Sequence, residues 1–127
     1  MIDFQLLADA FATAGYKVVV PDYFDKDPIP ADALGSPGFD FMAWLGKHPP
    51  AGTIPVIEAV IAALKAEGVA KVAALGFCYG ARPAFDLAFE NKLDIILVNH
   101  PSLLKVPEDL EVCKSILTVN DLSDIFM

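Results

Sequence analysis

Short apolar runs alternate along this chain with longer stretches of helical periodicity. The runs occupy residues 16–20, 70–76, 93–98 and 115–119. Each has the length and the β-branched or aliphatic content of a strand. In the helix-like stretches, apolar residues recur every three to four positions; these stretches are 3–14, 54–67 and 81–90. Helices that alternate with strands predict the α/β class, with a mostly parallel sheet flanked by helices.

The composition fits one domain with a buried sheet. The chain has 127 residues, which predicts a single domain over residues 1–127. Hydrophobic residues make up 55% of the chain, and mean hydropathy is +0.50. No apolar stretch reaches the roughly 18 residues that a membrane span needs. Parallel strands that are buried on both faces therefore explain the high apolar content.

Charge and cysteine usage exclude several classes of partner. Seventeen acidic and nine basic residues give a formal charge of −8, which argues against nucleic acid and against anionic membranes. The two cysteines, Cys78 and Cys113, form no CxxC pair, and no N-terminal signal precedes the first helix. A reducing, cytoplasmic location is therefore expected. The few Cys and His residues lie far apart, which disfavours a zinc site.

The motif Gly-Phe-Cys-Tyr-Gly, at residues 76–80, lies between a predicted strand and a predicted helix. A nucleophile on a tight strand-to-helix turn needs small flanking residues, and Gly76 and Gly80 supply them. The following helix favours a thiolate at Cys78, and the backbone N–H of Tyr79 is the candidate oxyanion donor. The alternative is that Cys78 is only a small buried residue between two glycines.

The acid and the base of such a site have candidates of unequal quality. Asp121 and Asp124 follow the last predicted strand, where an acid is expected; either could instead be a turn residue. His100 follows the strand at 93–98, at the edge where ligands bind in open α/β sheets. It could line the pocket, act as a substitute base or hydrogen-bond a loop. His48, next to two prolines, is interpreted as a solvated loop residue.

The loop region 21–53 contains many aromatic residues. It is predicted to help shape a pocket for small apolar acyl groups, with Asp22 and Tyr23 as candidate substrate-binding residues. The alternative is that its rings are ordinary packing.

Three stretches together resemble the dienelactone hydrolase family, particularly its fungal branch. They are QLLADAFATAGYKVVVPDYF (5–24), KVAALGFCYGAR (71–82) and NHPSLLKVPEDLE (99–111). The resemblance implies an α/β-hydrolase fold, a Cys-His-Asp triad, small esters or lactones as substrates, and no metal or organic cofactor. Cys78 matches the family's nucleophile, and Asp124 matches its acid.

Two parts of the family pattern have no counterpart in this sequence. They are the histidine downstream of the acid, and the strand before the first helix, whose loop carries the second oxyanion donor. The resemblance therefore implies an incomplete α/β-hydrolase domain. Three functions stay open: a thiol hydrolase, a non-catalytic α/β interaction module, and a redox-active thiol protein. The sequence leaves the oligomeric state open.

Overall fold

The structure is a computed structural model, and it describes residues 4–33, 36–112 and 116–119. It divides into two compact units, Met1–Pro49 and Pro50–Met127. The expectation of one domain over the whole chain stays a prediction. None of the described helices is long and apolar enough to cross a membrane.

The first unit begins with helix α1, Phe4–Thr13, as the periodicity predicts. Gly15 ends it with a φ of +95°, a conformation that glycine adopts without steric cost. The second helix, α2, spans Phe41–Lys47, and the side chain of Asp40 caps it by accepting a hydrogen bond from the backbone N–H of Ala43 at 2.9 Å.

His48 lies directly after α2, and the interpretation of it as a solvated residue is wrong. Its side chain is only 15% exposed, and its Nε2 lies 2.9 Å from Oδ2 of Asp27. The imidazole packs on the ring of Trp44, with 4.6 Å between the ring centroids. Trp44 is itself buried, and its indole N–H donates to the backbone carbonyl of Asp27 at 3.0 Å. These contacts give the first unit a small aromatic core.

The second unit opens with helix α3, Pro50–Ala66. The helix begins at Pro50 because a proline in the first turn has no N–H that would need a partner. Thr53 lies inside the first turn, and its hydroxyl donates to the carbonyl of Pro50 at 2.7 Å. Gly68, with a φ of +89°, follows the end of the helix.

A three-stranded parallel sheet organises this unit. In order across the sheet, its strands are β1 (Ala73–Phe77), β2 (Ile95–Asn99) and β3 (Ile116–Val119). Helix α4, Ala81–Phe89, connects β1 to β2, as a parallel pair requires. A short helix, α5, spans Glu108–Val112. The predicted α/β class with a parallel sheet is confirmed.

The core of the second unit lies between α4 and the sheet. Phe85 and Ala81 of α4 are fully buried against Ile96 and Val98 of β2. A second cluster packs Ile61 of α3 with Leu87 of α4 and with Val72. Burying a side chain of this size stabilises the fold by about 1.5–3 kcal/mol.

The opposite face of the sheet differs from the expectation of burial on both faces. Leu75 of β1 is 36% exposed, and Ile95 of β2 is 50% exposed. Residues alternate between the two faces along a strand, and α4 packs on the face that carries Ile96 and Val98. The apolar content of the sequence therefore overestimated how much of the sheet is covered.

The segment 16–20 was predicted to be a buried strand, and this prediction is wrong. It has no strand structure, and its valines are between 37% and 56% exposed. A strand exists only where its N–H and C=O groups pair with a neighbour. The described strands β1, β2 and β3 pair only with one another.

Asp94 fixes the start of the β1–β2 pair. Its Oδ2 accepts from the backbone N–H of Val72 at 2.9 Å, its own N–H donates to the carbonyl of Val72 at 2.9 Å, and Nζ of Lys71 lies 2.8 Å from Oδ1. The hydrogen bond from Lys71 and then that from Val72 lower the pKa of Asp94. The folded state therefore favours the ionised carboxylate.

This shift predicts a pH-dependent contribution to stability. A lowered folded-state pKa stabilises the fold above the ordinary aspartate value of about 4, and the contribution is lost as the pH falls through the folded-state pKa. We expect Asp94→Asn to lower the melting temperature more at pH 7 than near pH 2.5. Thermal unfolding followed by circular dichroism at both pH values measures this. An equal difference at the two values would contradict it.

Candidate active site

Cys78 lies on the turn between β1 and α4, and its side chain is exposed. Its φ is +48°, in the left-handed region that residues other than glycine rarely adopt. Such a conformation costs about 1–3 kcal/mol and tends to occur at functional sites. One short 3-10 turn, Cys78–Gly80, leads from the cysteine into α4. The alternative of a small buried cysteine is wrong.

Gly76 makes this turn possible. A Cβ at this position would lie 2.6 Å from the carbonyl oxygen of Gly80 and 2.8 Å from its carbonyl carbon. Real Cβ atoms do not approach backbone so closely, so only glycine fits. The prediction that this flanking position needs a small residue is confirmed.

The loop after β2 reaches the same edge of the sheet. Phe77 is in register with Asn99, so Cys78 and His100 leave their strands side by side. His100 is exposed, its φ is +34°, and its ring centroid lies 6.0 Å from that of Phe77. The structure thus places His100 at the predicted edge, beside the residue that precedes Cys78; its role stays a prediction.

Ser102 is the residue of this loop that touches Cys78. Its backbone N–H donates to the carbonyl of Cys78 at 3.1 Å. Its hydroxyl oxygen lies 3.7 Å from the sulfur, within hydrogen-bonding distance for that atom. Sequence reasoning did not single out Ser102; the one available signal was its place just after a predicted strand, at the binding edge.

Arg82, in the first turn of α4, forms a buried ion pair with Asp109 of α5. Its Nη1 lies 2.6 Å from Oδ2, and its Nη2 lies 3.1 Å from Oδ1. Both residues are buried, with 4% of Arg82 and 0% of Asp109 exposed. On the other side of the guanidinium, Nη2 also donates to Asp86 at 2.7 Å. Sequence reasoning missed this pair as well.

The electrostatics keep Asp109 ionised. Burial by itself would raise the pKa of this carboxyl, but the hydrogen bonds from Arg82 and from the backbone N–H of Lys105, at 2.6 Å, outweigh it. The net effect lowers the pKa of Asp109. The same contacts with Asp109 and Asp86 outweigh burial at Arg82 and raise its pKa. The ion pair therefore persists through the neutral pH range.

Comparison with known proteins identifies the family. The dienelactone hydrolase family matches residues 2–122 of the chain. The chain belongs to the dienelactone hydrolase family. It is 33% identical over 121 residues to Hydrolase pyvD of Aspergillus violaceofuscus, and 32% identical over 108 residues to Hydrolase tropI of Talaromyces stipitatus. Over 83 residues it is 36% identical to Dienlactone hydrolase 2 of Gibberella moniliformis. No solved structure gives a significant match.

The chain covers less than half of these relatives. The matched regions take up 94%, 77% and 61% of this chain, but 48%, 41% and 36% of the three relatives. The resemblance to the fungal branch of the dienelactone hydrolase family is confirmed, and all three relatives carry the name of a hydrolase.

Two further candidate residues lie in the first unit. Asp22 and Tyr23 belong to the first unit, where Oδ2 of Asp22 accepts from the backbone N–H of Lys26 at 3.0 Å. The ring of Tyr23 lies 4.6 Å from that of Phe24, and burial raises the pKa of its phenol. Their substrate-binding role stays a prediction.

Some predictions concern residues outside the described ranges. Asp124, the predicted acid, is one of them, as are Asp121 and Cys113. Within the described ranges, no three His, Cys, Asp or Glu side chains come together as ligands for a metal ion.

Proposed function

We propose that this chain carries the nucleophile and the oxyanion donor of a hydrolase that acts on small carboxylic esters or lactones. The observation that supports the proposal is the exposed Cys78 sulfur on a left-handed turn between a parallel strand and a helix. This is the setting in which α/β-hydrolases place their nucleophile. Relatives named dienlactone hydrolase give the substrate class.

The chemistry begins with the Cys78 thiolate. Its sulfur attacks the carbonyl carbon of the ester, a C–S bond forms, and the carbonyl electron pair moves onto oxygen. The backbone N–H of Tyr79, the residue after the nucleophile, stabilises that oxyanion. Collapse of the intermediate breaks the C–O bond, the alcohol oxygen leaves with the electron pair, and a thioester on Cys78 remains. Water then hydrolyses the thioester, which releases the acid and regenerates the thiol.

The base and its orienting acid complete the proposed mechanism. Asp124 is assigned as the acid that orients a histidine, because it matches the family's acid. His100 lies at the same sheet edge as Cys78 and is assigned to the wall of the substrate site. With a leaving group as weakly basic as p-nitrophenolate, formation of the thioester needs little help from a base. Hydrolysis of the thioester by water depends on the base more strongly. Acylation is therefore the step that tests this chain most directly.

The test is to trap the acyl-enzyme. The chain is mixed with p-nitrophenyl acetate, quenched in acid and digested, and the peptides are measured by mass spectrometry. We expect a burst of about one equivalent of p-nitrophenolate per chain and an acetyl group on Cys78. Cys113→Ala, the matched control, keeps both signals, whereas Cys78→Ala loses both.

Two outcomes would count against the proposal. One is an acetyl group that appears equally on Cys78 and Cys113, as expected for two unactivated thiols. The other is a burst that survives in Cys78→Ala. An unacetylated Cys78 that hydrogen peroxide oxidises selectively would favour the redox function instead.

A further inference from the structure

Three of the six described residues other than glycine that have a positive φ lie at the edge of the sheet that carries Cys78. They are Cys78 at +48°, His100 at +34° and Leu103 at +60°. Each such residue persists only where the surrounding contacts hold it. A rigid partner must therefore hold the loop 100–105 in this conformation. The residues that contact the loop identify that partner.

Arg82 and Asp109 hold both sides of this loop. Nη1 of Arg82 lies 3.4 Å from the carbonyl oxygen of Leu103, and Oδ2 of Asp109 accepts from the backbone N–H of Lys105 at 2.6 Å. The ion pair between the two side chains joins these contacts to each other. Two backbone groups of the loop are thus bound to the buried ion pair that joins α4 to α5.

Burying this ion pair carries a desolvation cost. Both charges are removed from water, and Nε of Arg82 has no hydrogen-bond partner among the described residues. Apolar side chains of similar volume often stabilise a protein as well as a buried ion pair does, or better. What apolar side chains cannot supply is directional contact with Leu103 and Lys105. The arrangement therefore favours positioning of the loop over stability.

The residue that this arrangement positions is Ser102. It lies between His100 and Leu103, the two strained positions of the loop, and its backbone N–H is bound to the carbonyl of Cys78. Its hydroxyl oxygen is then 3.7 Å from the Cys78 sulfur. A hydroxyl can rotate, so it can accept a hydrogen bond from the thiol and donate one to the thiolate.

We propose that Ser102 is a catalytic residue whose hydroxyl donates a hydrogen bond to the Cys78 thiolate, and that Arg82 and Asp109 are positioning residues that act through it. This inference rests on the proposed role of Cys78 as the nucleophile. The hydroxyl keeps its proton throughout. It donates to the sulfur until the C–S bond forms, when the hydrogen bond is released.

The first experiment measures the rate of Cys78 acetylation by p-nitrophenyl acetate, with every variant made in the Cys113→Ala chain. Ser102→Ala is expected to slow acetylation by about tenfold or more, as loss of a hydrogen bond to a charged group does. Ser102→Thr keeps the hydroxyl and restores most of the rate. Asp86→Asn is the matched control. Asp86 also pairs with Arg82, but its carboxylate makes no contact with the loop 100–105 among the described residues. The acetylation rate of this variant is therefore expected to stay within about twofold of the parent rate.

The pair itself is tested by replacing both charges. Arg82→Met with Asp109→Leu leaves no unpaired buried charge, so the variant is expected to fold; circular dichroism checks this. It is expected to lose as much acetylation rate as Ser102→Ala, and adding Ser102→Ala to it costs nothing further. A residue with a purely structural role would give independent losses that multiply. Multiplying losses, or an undiminished rate in Ser102→Ala, would overturn the inference.

A second experiment does not depend on acyl transfer. Ser102→Cys places a thiol beside Cys78, and the equilibrium with glutathione gives the effective concentration of the two thiols. We expect this value to fall about tenfold when Arg82→Met and Asp109→Leu are added, and to stay unchanged with Asp86→Asn. If the parent is not acetylated, the proposed function fails, and this measurement alone decides whether the ion pair positions the loop.

Discussion

Asp109→Ala is expected to lower the free energy of unfolding of the second unit by about 3–5 kcal/mol, because it leaves the buried guanidinium of Arg82 without its main counter-charge. The same substitution removes the acceptor for the backbone N–H of Lys105. Urea unfolding followed by far-UV circular dichroism measures the loss. Fluorescence is unsuitable because the single tryptophan, Trp44, lies in the first unit.

Two variants control this prediction. Asp86→Asn removes the partner of Arg82 whose side chain is 31% exposed, and it is expected to cost about 0.5 kcal/mol, as for other i, i+4 pairs near the surface. Replacing both members of the buried pair, by Arg82→Met with Asp109→Leu, is expected to cost far less than Asp109→Ala alone. Equal losses for Asp109→Ala and Asp86→Asn would show that Asp109 is not the main counter-charge.

Gly76→Ala is expected to destabilise the second unit by about 1–3 kcal/mol and to impair acetylation of Cys78 as well. The added methyl would meet the carbonyl oxygen of Gly80 at 2.6 Å, and that backbone has no flexible side chain to move aside. The turn that presents Cys78 must therefore open. The acid-quenched mass-spectrometric assay and urea unfolding measure the two effects separately.

Gly68→Ala is the matched control for this substitution. Gly68 has a φ of +89°, so alanine is strained there, but no atom lies within 4 Å of the added methyl. We expect a comparable loss of stability with unchanged acetylation of Cys78. Loss of acetylation in both variants would attribute the effect of Gly76→Ala to general destabilisation and not to the turn.

Most helices and strands of this chain could be predicted because their signals are local. Apolar residues at helical spacing predicted α1, α3 and α4, and short aliphatic runs predicted β1, β2 and β3. The segment 16–20 has the same local signal but no strand structure. Its composition favours a strand, but strand formation depends on a hydrogen-bonding neighbour, which no local pattern reports.

The candidate site likewise combines features that the local sequence predicts with contacts that only the fold creates. Two glycines around Cys78, between a strand and a helix, were enough to predict an exposed cysteine on a tight turn. Ser102 carries no such local signature, since a serine after a strand is common in loops. Its contact with Cys78 exists because Phe77 and Asn99 are in register, which brings two distant loops to one edge of the sheet.

The sequence by itself determined the α/β class, the parallel strands and the place of Cys78, because each depends on spacing within a few residues. Only the tertiary structure decided that Ser102 faces the sulfur and that Arg82 and Asp109 are buried together. Arg82 and Asp109 are 27 residues apart in the chain. Such a pair is buried only because α4 packs against the sheet and the loop returns beside it, which excludes water from both charged groups.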